Sequence, residues 1–450
     1  MLKLYNTASR KVENFKPRGE VVKIYTCGPT VYNFQHIGNY ASYVYWDLLL
    51  RVLKYDGYKT KRVLNLTDVG HLESDADDGQ DKLEKGAARE GKTVWEVAEF
   101  YSDDFMSHFR ALNLIEPDVV ARATDYVEED MQAVDKMTEN GFTYETTDGV
   151  YYDTSKFPGY ADFARLNLEG LKAGARINFN KEKRNVSDFA VWKFIQPGEK
   201  HAMRWDYLGR PGYPGWHLEC STIINKELGE PIDIHTGGID HIPVHHTNEI
   251  AQTYAISGQQ LARFWLHCSF ITIDGEKISK SLGNFYTLDD LKERGFSYMD
   301  YKMWVLAGHY QGTRNFTFES LESAKQRRLN WRNKIALLYQ SDARKSSDDE
   351  FTKDILSILN NNLNSPEAFA YVDTHELSMD EWKIVDDLFG LNLIADTPDI
   401  DDETHKLILE RQTARENKDF KRSDEIRDDL KRRGIIIEDS SEGPIWQYAA

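Results

Sequence analysis

A strand, a loop, a helix and a second strand follow one another between residues 21 and 67, and this order limits the possible folds more than any other feature of the sequence. The first strand, VVKIYT, is β-branched and aromatic and ends at the breaker Gly28-Pro29. The helix that follows carries an apolar stripe at helical spacing, formed by Ile37, Ala41, Val44, Leu48 and Val52. Such a βαβ unit predicts a parallel sheet, whose ligands bind at the carboxyl ends of the strands, beside helix N-termini. At that edge we expect Cys27, His36 and Thr67.

The rest of the chain predicts that this domain is interrupted and then followed by helices. About ninety residues of mixed character resemble an insertion, and strand and helix patterns return from Gly215, beginning with the strand-like GWHLE before Cys220. We therefore predict an α/β protein with a Rossmann-like parallel-sheet domain that contains an inserted connective domain, then an α-helical bundle and a small mixed α/β C-terminal unit. The predicted boundaries are 1–118 and 205–265 for the halves of the first domain, 119–204 for the insertion, 266–318 for a loop region, 319–395 for the bundle and 396–450 for the C-terminal unit.

Charge restricts the partners that the chain can bind. The net charge of −18 argues against attraction of nucleic acid or anionic membrane to the whole surface. Two segments, 323–345 and 405–433, are nevertheless locally basic. An RNA contact would therefore be confined to the C-terminal third, although solvated helix faces explain the same charges. The acidic run at 73–81 is interpreted as a solvated loop.

Cysteine usage and hydropathy indicate the compartment. The three cysteines, at positions 27, 220 and 268, are too far apart for the disulfide framework of a small secreted protein. No apolar run reaches the ~18 residues of a membrane span, and the N-terminus lacks the apolar core of a secretory signal. We expect a cytoplasmic protein with no membrane partner.

Two short motifs carry residues suited to a nucleotide. His36-Ile37-Gly38-Asn39 lies where the first loop becomes a helix, whose unpaired N–H groups and dipole favour an anion, and Gly38 allows close approach. Lys277-Ile278-Ser279-Lys280-Ser281, here called the KISKS loop, places two cations in a glycine-flanked segment that could follow charge on a triphosphate. Taken singly, a capping histidine and an exposed basic loop explain them equally well.

A third group of residues suits a metal ion. His245 and Glu249 are four apart at the start of a predicted helix, so both project from one face. With Cys27 and Cys220 they would form a chemically sensible zinc set. The absence of a CxxC pair keeps a structural role for these side chains open.

The two motifs in this order, about 240 residues apart, resemble the paired signatures of the class I aminoacyl-tRNA synthetases. Segments throughout the chain are similar to cysteinyl-tRNA synthetases in particular, among them YTCGPTVYNFQHIGN, GWHLECS, DIHTGGIDHIPVHHTNEIAQ, DGEKISKSLGNF and KRSDEIRDDLKRRGIIIED. The resemblance implies a monomer that uses ATP with Mg²⁺ to form cysteinyl-adenylate from L-cysteine and transfers the cysteine to the 3′-terminal adenosine of tRNA(Cys). It also implies one Zn²⁺ per chain, which selects the substrate thiol.

The resemblance assigns roles to individual residues. The zinc ligands would be Cys27, Cys220, His245 and Glu249. The catalytic residues would be His36, Asn39, Lys277 and Lys280, which with Gly38 would also bind ATP. The cysteine substrate would meet Gly28, Thr67, Trp216, His235 and Asp240, with His217 and His241 in the surrounding polar shell. The 266–318 region would contact the tRNA stem, the bundle would bind tRNA, and the C-terminal unit would contact the anticodon.

Some positions depart from the pattern, and other functions remain open. Asn39 stands where the class signature ends in His, and Ile278 replaces Met, while Cys268 matches no ligand and is interpreted as a small buried hydrophobe. One alternative is a cysteine ligase of the mycothiol pathway, which shares the adenylating domain but lacks the anticodon unit. The other is a catalytically inactive RNA-binding module, against which the intact motifs argue.

Overall fold

A computed structural model gives the fold, and it describes residues 1–70, 81–166, 182–199, 201–340, 349–440 and 443–449. Most of the predicted acidic loop at 73–81, and the basic residues Arg344 and Lys345, lie outside these ranges. The elements up to residue 214 are β1 (Lys3–Asn6), β2 (Lys11–Asn14), β3 (Val21–Thr26), α1 (Ile37–Tyr55), β4 (Lys59–Leu66), α2 (Lys82–Glu90), α3 (Val94–Ala111), β5 (Val119–Arg122), α4 (Val127–Glu139), β6 (Thr143–Thr146), β7 (Gly149–Tyr152), β8 (Phe189–Phe194), β9 (Trp205–Tyr207) and β10 (Arg210–Pro214).

The remaining elements are α5 (Leu218–Glu227), β11 (Ile232–Gly238), α6 (His245–Ser257), β12 (Ala262–Cys268), β13 (Ile271–Ile273), β14 (Glu276–Lys277), α7 (Leu288–Glu293), α8 (Tyr298–Leu306), β15 (Arg314–Phe316), α9 (Phe318–Gln340), α10 (Asp349–Leu359), α11 (Ser365–Thr374), α12 (Met379–Phe389), α13 (Asp402–Glu416), α14 (Phe420–Arg432), β16 (Ile435–Ser440) and β17 (Gly443–Tyr448). Short 3₁₀ turns lie at Ala123–Tyr126, Thr154–Lys156, Ile239–His241 and Lys280–Leu282. None of the helices in the described ranges combines the length and the apolarity that crossing a bilayer requires.

The central sheet is parallel and has the order β12-β11-β3-β4-β5, which confirms the predicted Rossmann-like core. The strands β3 and β4 pair through Ile24 and Arg62, and α1 buries its predicted apolar stripe against them. Cys27 follows β3 and Thr67 follows β4, so both lie at the carboxyl edge as predicted. The chain after β11 and the last residue of β12, Cys268, reach the same edge.

The insertion forms an antiparallel sheet in the order β6-β7-β8-β10-β9. Sequence reasoning placed the insertion's end at residue 204, but β9 and β10 lie beyond it and complete this sheet. Gly212 pairs with Phe194, and Tyr213 with Lys193, so backbone hydrogen bonds hold β10 to the insertion rather than to the central sheet. The chain returns to the parallel sheet only after Pro214.

One local prediction was wrong. GWHLE was expected to be strand-like before Cys220, whereas the structure makes a turn there and starts α5 at Leu218. The N–H of Gly215 donates to Val191, which ends the pairing of β10, and the N–H of Leu218 donates to Gly215. Cys220 therefore lies in the first turn of a buried helix.

The C-terminal third is mainly helical, as predicted, and packs directly on the parallel-sheet domain. The helices α8 to α12 share one hydrophobic core with α1. A buried ion pair joins the two regions, since Lys302 Nζ lies 2.9 Å from Asp47 Oδ2. The C-terminal unit of α13, α14 and the β16-β17 hairpin covers Ala336 of α9; the second strand of that hairpin was not anticipated.

Candidate active site and metal centre

A cavity of about 820 Å³ opens at the carboxyl edge of the central sheet. It brings together both sequence motifs and most of the predicted pocket residues, although these come from five separate parts of the chain. The predicted residues that line it are Cys27, Gly28, His36, Gly38, Asn39, Thr67, Trp216, Cys220, Asp240, His241, His245, Lys277 and Lys280.

His36 caps the helix whose N-terminus faces this cavity. The N–H of Asn39 donates to His36 Nδ1, and the N–H of His36 donates to Asn39 Oδ1, each at 3.2 Å, which closes a capping box. Burial, and then the nearby Lys280 ammonium, lowers the pKa of His36 to about 4. The imidazole is therefore neutral at pH 7, and because Nδ1 accepts a hydrogen bond, its proton is on Nε2. The backbone N–H of residue 39 thus fixes the histidine's tautomer, while the side chain of Asn39 holds the backbone N–H of His36.

The KISKS loop lies against the first motif. A Cβ atom on Gly38 would come within 2.8 Å of Ile278 Cδ1, so glycine is what allows this approach. The ring of Phe285 contacts both motifs, with its centroid 5.3 Å from that of His36 and 4.9 Å from Lys280 Nζ. Asn284 shapes the loop, because it accepts from the N–H of Ser279 and donates to Lys277. Both lysines are exposed at the cavity rim.

The four predicted metal ligands meet at the inner end of the cavity. One donor atom from each of Cys27, Cys220, His245 and Glu249 lies within 4.8 Å of the others. They come from the end of β3, from α5 and from the first turn of α6, where His245 and Glu249 share a face as expected. His245 Nε2 lies 2.8 Å from Glu249 Oε1, yet that oxygen has no hydrogen-bond partner among the residues that the structure describes. Two potential ligand atoms that lie close together without a hydrogen bond between them suit a shared cation. Two thiols, an imidazole and a carboxylate are ligands that zinc accepts.

A second group of candidate ligands overlaps the first. Cys27, His235, His246 and Glu249 also lie within 4.8 Å of one another. His235 and His246 belong, however, to the layer behind the cavity and are not among the described residues that line it. A metal in the first group would be reached from the cavity through Cys27, Cys220 and His245. The first group is therefore a better candidate than the second for a metal that contacts a substrate in the cavity.

The histidines around the site hold its ligands. His235 Nε2 lies 2.6 Å from Glu249 Oε2, so His235 contacts a predicted ligand rather than the cavity in which a substrate contact was expected. His217 Nδ1 lies 2.9 Å from His245 Nδ1, which leaves His245 Nε2 to face Glu249. His246 Nε2 lies 3.3 Å from Cys27 Sγ. His246 Nδ1 in turn lies 2.8 Å from Nε2 of His267, a residue that sequence reasoning did not single out.

The buried groups carry unequal proton affinities. Burial raises the pKa of Cys27 to about 11 and that of Cys220 well above its ordinary value. Burial also acts to raise the pKa of Glu249, but the imidazoles of His235 and His245 outweigh it and hold that pKa at about 2. Without a metal, the thiols are protonated and the carboxylate is charged. A divalent cation would replace the thiol protons and neutralise the carboxylate.

The predicted substrate pocket lies beside the ligands and contains residues that sequence reasoning missed. The N–H of Gly28 donates to Asn65 Oδ1 at 2.7 Å, and both Asn65 and Thr67 donate to the buried carboxylate of Glu219. Lys82 Nζ lies 3.8 Å above the ring of Trp216. Glu219 directly precedes a predicted ligand in the motif GWHLECS, so a signal for it was present. Nothing in the pattern around residue 82 indicated its position.

Known proteins resemble the chain along its whole length. Residues 14–326 match the family described as "tRNA synthetases class I (C) catalytic domain", and residues 397–446 match "Cysteinyl-tRNA ligase anticodon binding domain". A "Cysteine--tRNA ligase" from Treponema denticola is 39% identical over 99% of each chain. "Cysteine--tRNA ligase 1" from Burkholderia lata is 42% identical over 98% of this chain and 96% of its own.

Among solved structures, the Mycobacterium tuberculosis methionyl-tRNA synthetase in complex with methionyl-adenylate has the same fold. Its TM-score is 0.59, and the similarity covers 88% of this chain and 84% of that chain. The sequence identity is 14%, so this likeness concerns the fold alone.

Proposed function

Because the chain belongs to the cysteinyl-tRNA synthetase family of the class I aminoacyl-tRNA synthetases, we propose that it activates L-cysteine with ATP and transfers it to tRNA(Cys). The observation that carries the proposal is a single cavity that contains both the nucleotide motifs and the group of Cys27, Cys220, His245 and Glu249. The end of the cavity beside the nucleotide motifs would hold ATP with its Mg²⁺, and the end beside the group of cysteines would hold the side chain of the amino acid.

In the first step, the substrate carboxylate attacks the α-phosphorus of ATP. A bond forms between a carboxylate oxygen and the α-phosphorus. The bond between the α-phosphorus and the oxygen that bridges to the β-phosphate breaks, and pyrophosphate leaves with the electron pair of that bond. The protein contributes position and charge rather than a covalent intermediate. Lys277 and Lys280 would face the negative charge that develops on the phosphates, and the N-terminus of α1 would do the same through its backbone N–H groups.

His36 would act here as a neutral hydrogen-bond donor. Its lowered pKa excludes an imidazolium at pH 7, and its Nδ1 is already bonded to Asn39, so Nε2–H remains for a phosphate oxygen or the ribose. The side chain of Asn39, which accepts from the backbone N–H of His36, would be a positioning residue, and Gly38 would allow the nucleotide to lie close to the backbone.

The amino acid would be recognised by its thiol. Cys27, Cys220, His245 and Glu249 would hold Zn²⁺, which when bound attracts a soft thiolate far more strongly than a serine hydroxyl. His217 and His235 would keep His245 and Glu249 in place, as partners of metal ligands do. Gly28, Thr67, Trp216 and Asp240 line the cavity beside this group and are proposed to contact the rest of the cysteine.

The transfer step requires the tRNA to reach the same cavity. The hydroxyl of its 3′-terminal adenosine attacks the adenylate carbonyl, an ester forms, and AMP leaves. The match of residues 397–446 to an anticodon-binding family favours tRNA over the acceptor of a mycothiol-type ligase. Both motifs and all the proposed ligands are present, which argues against an inactive module. The monomeric state and the cytoplasmic location stay predictions.

The decisive experiment is pyrophosphate exchange with cysteine or serine as substrate, with the metal content measured on the same sample. We expect exchange with cysteine alone, in a protein that contains zinc. Cys220→Ala should abolish exchange and reduce the bound zinc, whereas Cys268→Ala, which removes the third buried thiol, should do neither. Full exchange by metal-free protein would refute a zinc that reads the thiol.

A further inference from the structure

A cluster of metal-binding side chains lies outside the cavity, between α3 and α7. Asp104 and His108 are one turn apart on α3, and Asp289 lies on α7. One donor atom from each lies within 4.8 Å of the others. Nothing in the proposed aminoacylation chemistry uses these residues, and no member of the cluster is among the described residues lining the cavity.

The orientation of His108 is that of a metal ligand. Its Nδ1 lies 2.9 Å from the backbone oxygen of Asp104, to which it donates, so Nε2 is free to offer its lone pair. That nitrogen lies 3.2 Å from Asp289 Oδ2. Metal-bound histidines commonly donate their other N–H to a carbonyl in this way, and ligating carboxylates are themselves hydrogen-bonded. Asp289 meets the second condition, because Tyr298 donates to its Oδ1 at 2.7 Å.

A separate observation comes from α1. Tyr40 is buried, and its hydroxyl has no hydrogen-bond partner in the part of the chain that the structure describes. Its ring stacks on Phe105 and lies 5.8 Å from the ring of His108. Burial, and after it the charge of Asp104 and more weakly that of Asp289, raise the pKa of Tyr40. A buried hydroxyl without a partner is unfavourable, and the ring that carries this one packs against Phe105 and His108, on the helix that supplies two members of the cluster.

An ion pair is the simpler explanation of the same contacts. Burial opposes protonation of His108, but Asp104 and then Asp289 raise the pKa of His108 to about 9. A protonated ring would satisfy both carboxylates. It would leave the hydroxyl of Tyr40 without a partner, whereas a bound cation with its water would supply one.

We propose that Asp104, His108 and Asp289 form a second metal site, distinct from the cysteine-lined one, that takes a divalent transition-metal ion. One imidazole nitrogen and two carboxylates suit Zn²⁺ or Mn²⁺ better than Ca²⁺ or Mg²⁺, which prefer oxygen ligands alone. Because α7 follows the KISKS loop, an ion here would join the segment after the loop to α3. It would also lie next to Tyr40, the residue that directly follows Asn39.

The test is a count of bound Zn²⁺ per full-length chain, by equilibrium dialysis and elemental analysis after chelator treatment. We expect two ions in the wild type, one in Asp289→Asn, one in Cys220→Ala and none in the double variant. Glu293→Gln, an exposed carboxylate on the same helix, is the matched control and should keep two. Loss of an ion in Cys220→Ala reports on the proposed active site, and loss in Asp289→Asn reports on this one, so the two proposals can fail separately.

Tyr40→Phe gives an independent reading, because it removes only a hydroxyl that has no partner in the described residues. Zn²⁺ binding to the Cys220→Ala protein should weaken about 10-fold when Tyr40→Phe is added, a typical effect of removing a hydrogen bond near a metal. If the Cys220→Ala protein binds no ion, or if Asp289→Asn binds as many as the wild type, the site does not exist and His108 is only a member of an ion pair.

Discussion

The backbone N–H of Ile37 donates to the carbonyl oxygen of Tyr286 at 2.9 Å, so the first turn of α1 is bonded directly to the segment that follows the KISKS loop. Gly38 and Ile278 are in contact beside this bond, and Phe285 lies between His36 and Lys280. Two motifs about 240 residues apart in the sequence are thus parts of one surface. We expect the distance in space between the two motifs to be as important for activity as the identity of their residues.

Gly38→Ala tests this contact. The new methyl group would lie 2.8 Å from both Ile278 Cδ1 and His36 Cε1, so both side chains, or the backbone between them, must move. We expect a loss in the kcat of pyrophosphate exchange of about 100-fold, as a misplacement of about 1 Å can cause. Gly19→Ala is the control, since a Cβ there meets nothing within 4 Å. Equal activity in the two variants would show that the loop adjusts freely.

Lys280→Ala should lower kcat rather than raise KM for cysteine. Lys280 is exposed at the cavity rim, where it can follow charge as it develops on the phosphates. Removing one such donor typically reduces kcat by a factor of about 10² to 10³. Steady-state exchange kinetics measure the effect, with Lys353→Ala, an exposed lysine on α10, as the control. A wild-type kcat would exclude the role.

Lys302→Met should destabilise the fold without touching the cavity. It would leave the buried carboxylate of Asp47 with Arg51 as its remaining ionic partner, at 2.7 Å. Breaking a buried pair in this way costs about 3 to 5 kcal/mol, and the second partner should keep the loss near the lower figure. Urea unfolding gives the value. The double variant Asp47→Asn, Lys302→Met should recover part of the stability, because it removes the fully buried carboxylate charge and leaves only the less buried guanidinium of Arg51 without an ionic partner.

In metal-free protein, His108 should contribute stability that is lost at high pH. Its folded pKa of about 9 lies above its ordinary value of 6.5, so the folded state binds the proton more tightly. The contribution is fully present below pH ~6.5 and disappears as the pH rises through about 9. The difference in free energy of unfolding between wild type and His108→Gln should therefore shrink from pH 6 to pH 9.5. A constant difference would contradict the raised pKa.

Charge reversal on α14 should impair tRNA charging alone. Lys421 and Arg427 are exposed on the C-terminal unit, far from the cavity in sequence. If this unit meets the anticodon, Lys421→Glu with Arg427→Glu should raise KM for tRNA and leave pyrophosphate exchange unchanged, with a reduced dependence on salt. Point changes are preferable to deletion from Asp396 onward, because the unit covers Ala336 and its removal would expose apolar surface. Equal loss in both assays would contradict the modular interpretation.

The parallel core could be predicted from local patterns, whereas the grouping of Cys27, Cys220, His245 and Glu249 was predicted from the resemblance to known synthetases, because 193 residues separate the two cysteines. The apolar stripe of α1 and the spacing of His245 and Glu249 are readable within a few turns of helix. The assignment of β9 and β10 to the insertion was out of reach, since strand pairing is non-local and these strands are three and five residues long. His235 illustrates a second limit. Every residue of β11 from Ile232 to Gly237 is buried, so no alternation distinguishes the face that meets the cavity from the face behind it.

The distribution of the cysteine-lined group along the chain also governs when it can form. Cys27 is synthesised more than two hundred residues before Glu249, an interval of roughly 10 to 45 s at ordinary rates of translation. For most of that time β3 lacks its neighbour β11, and the thiol of Cys27 lacks Cys220, His245 and Glu249. If the four side chains hold a metal as proposed, the ion is captured only after β3, α5 and α6 have come together, so a tightly held metal would mark a nascent chain in which the two halves of the catalytic domain have met.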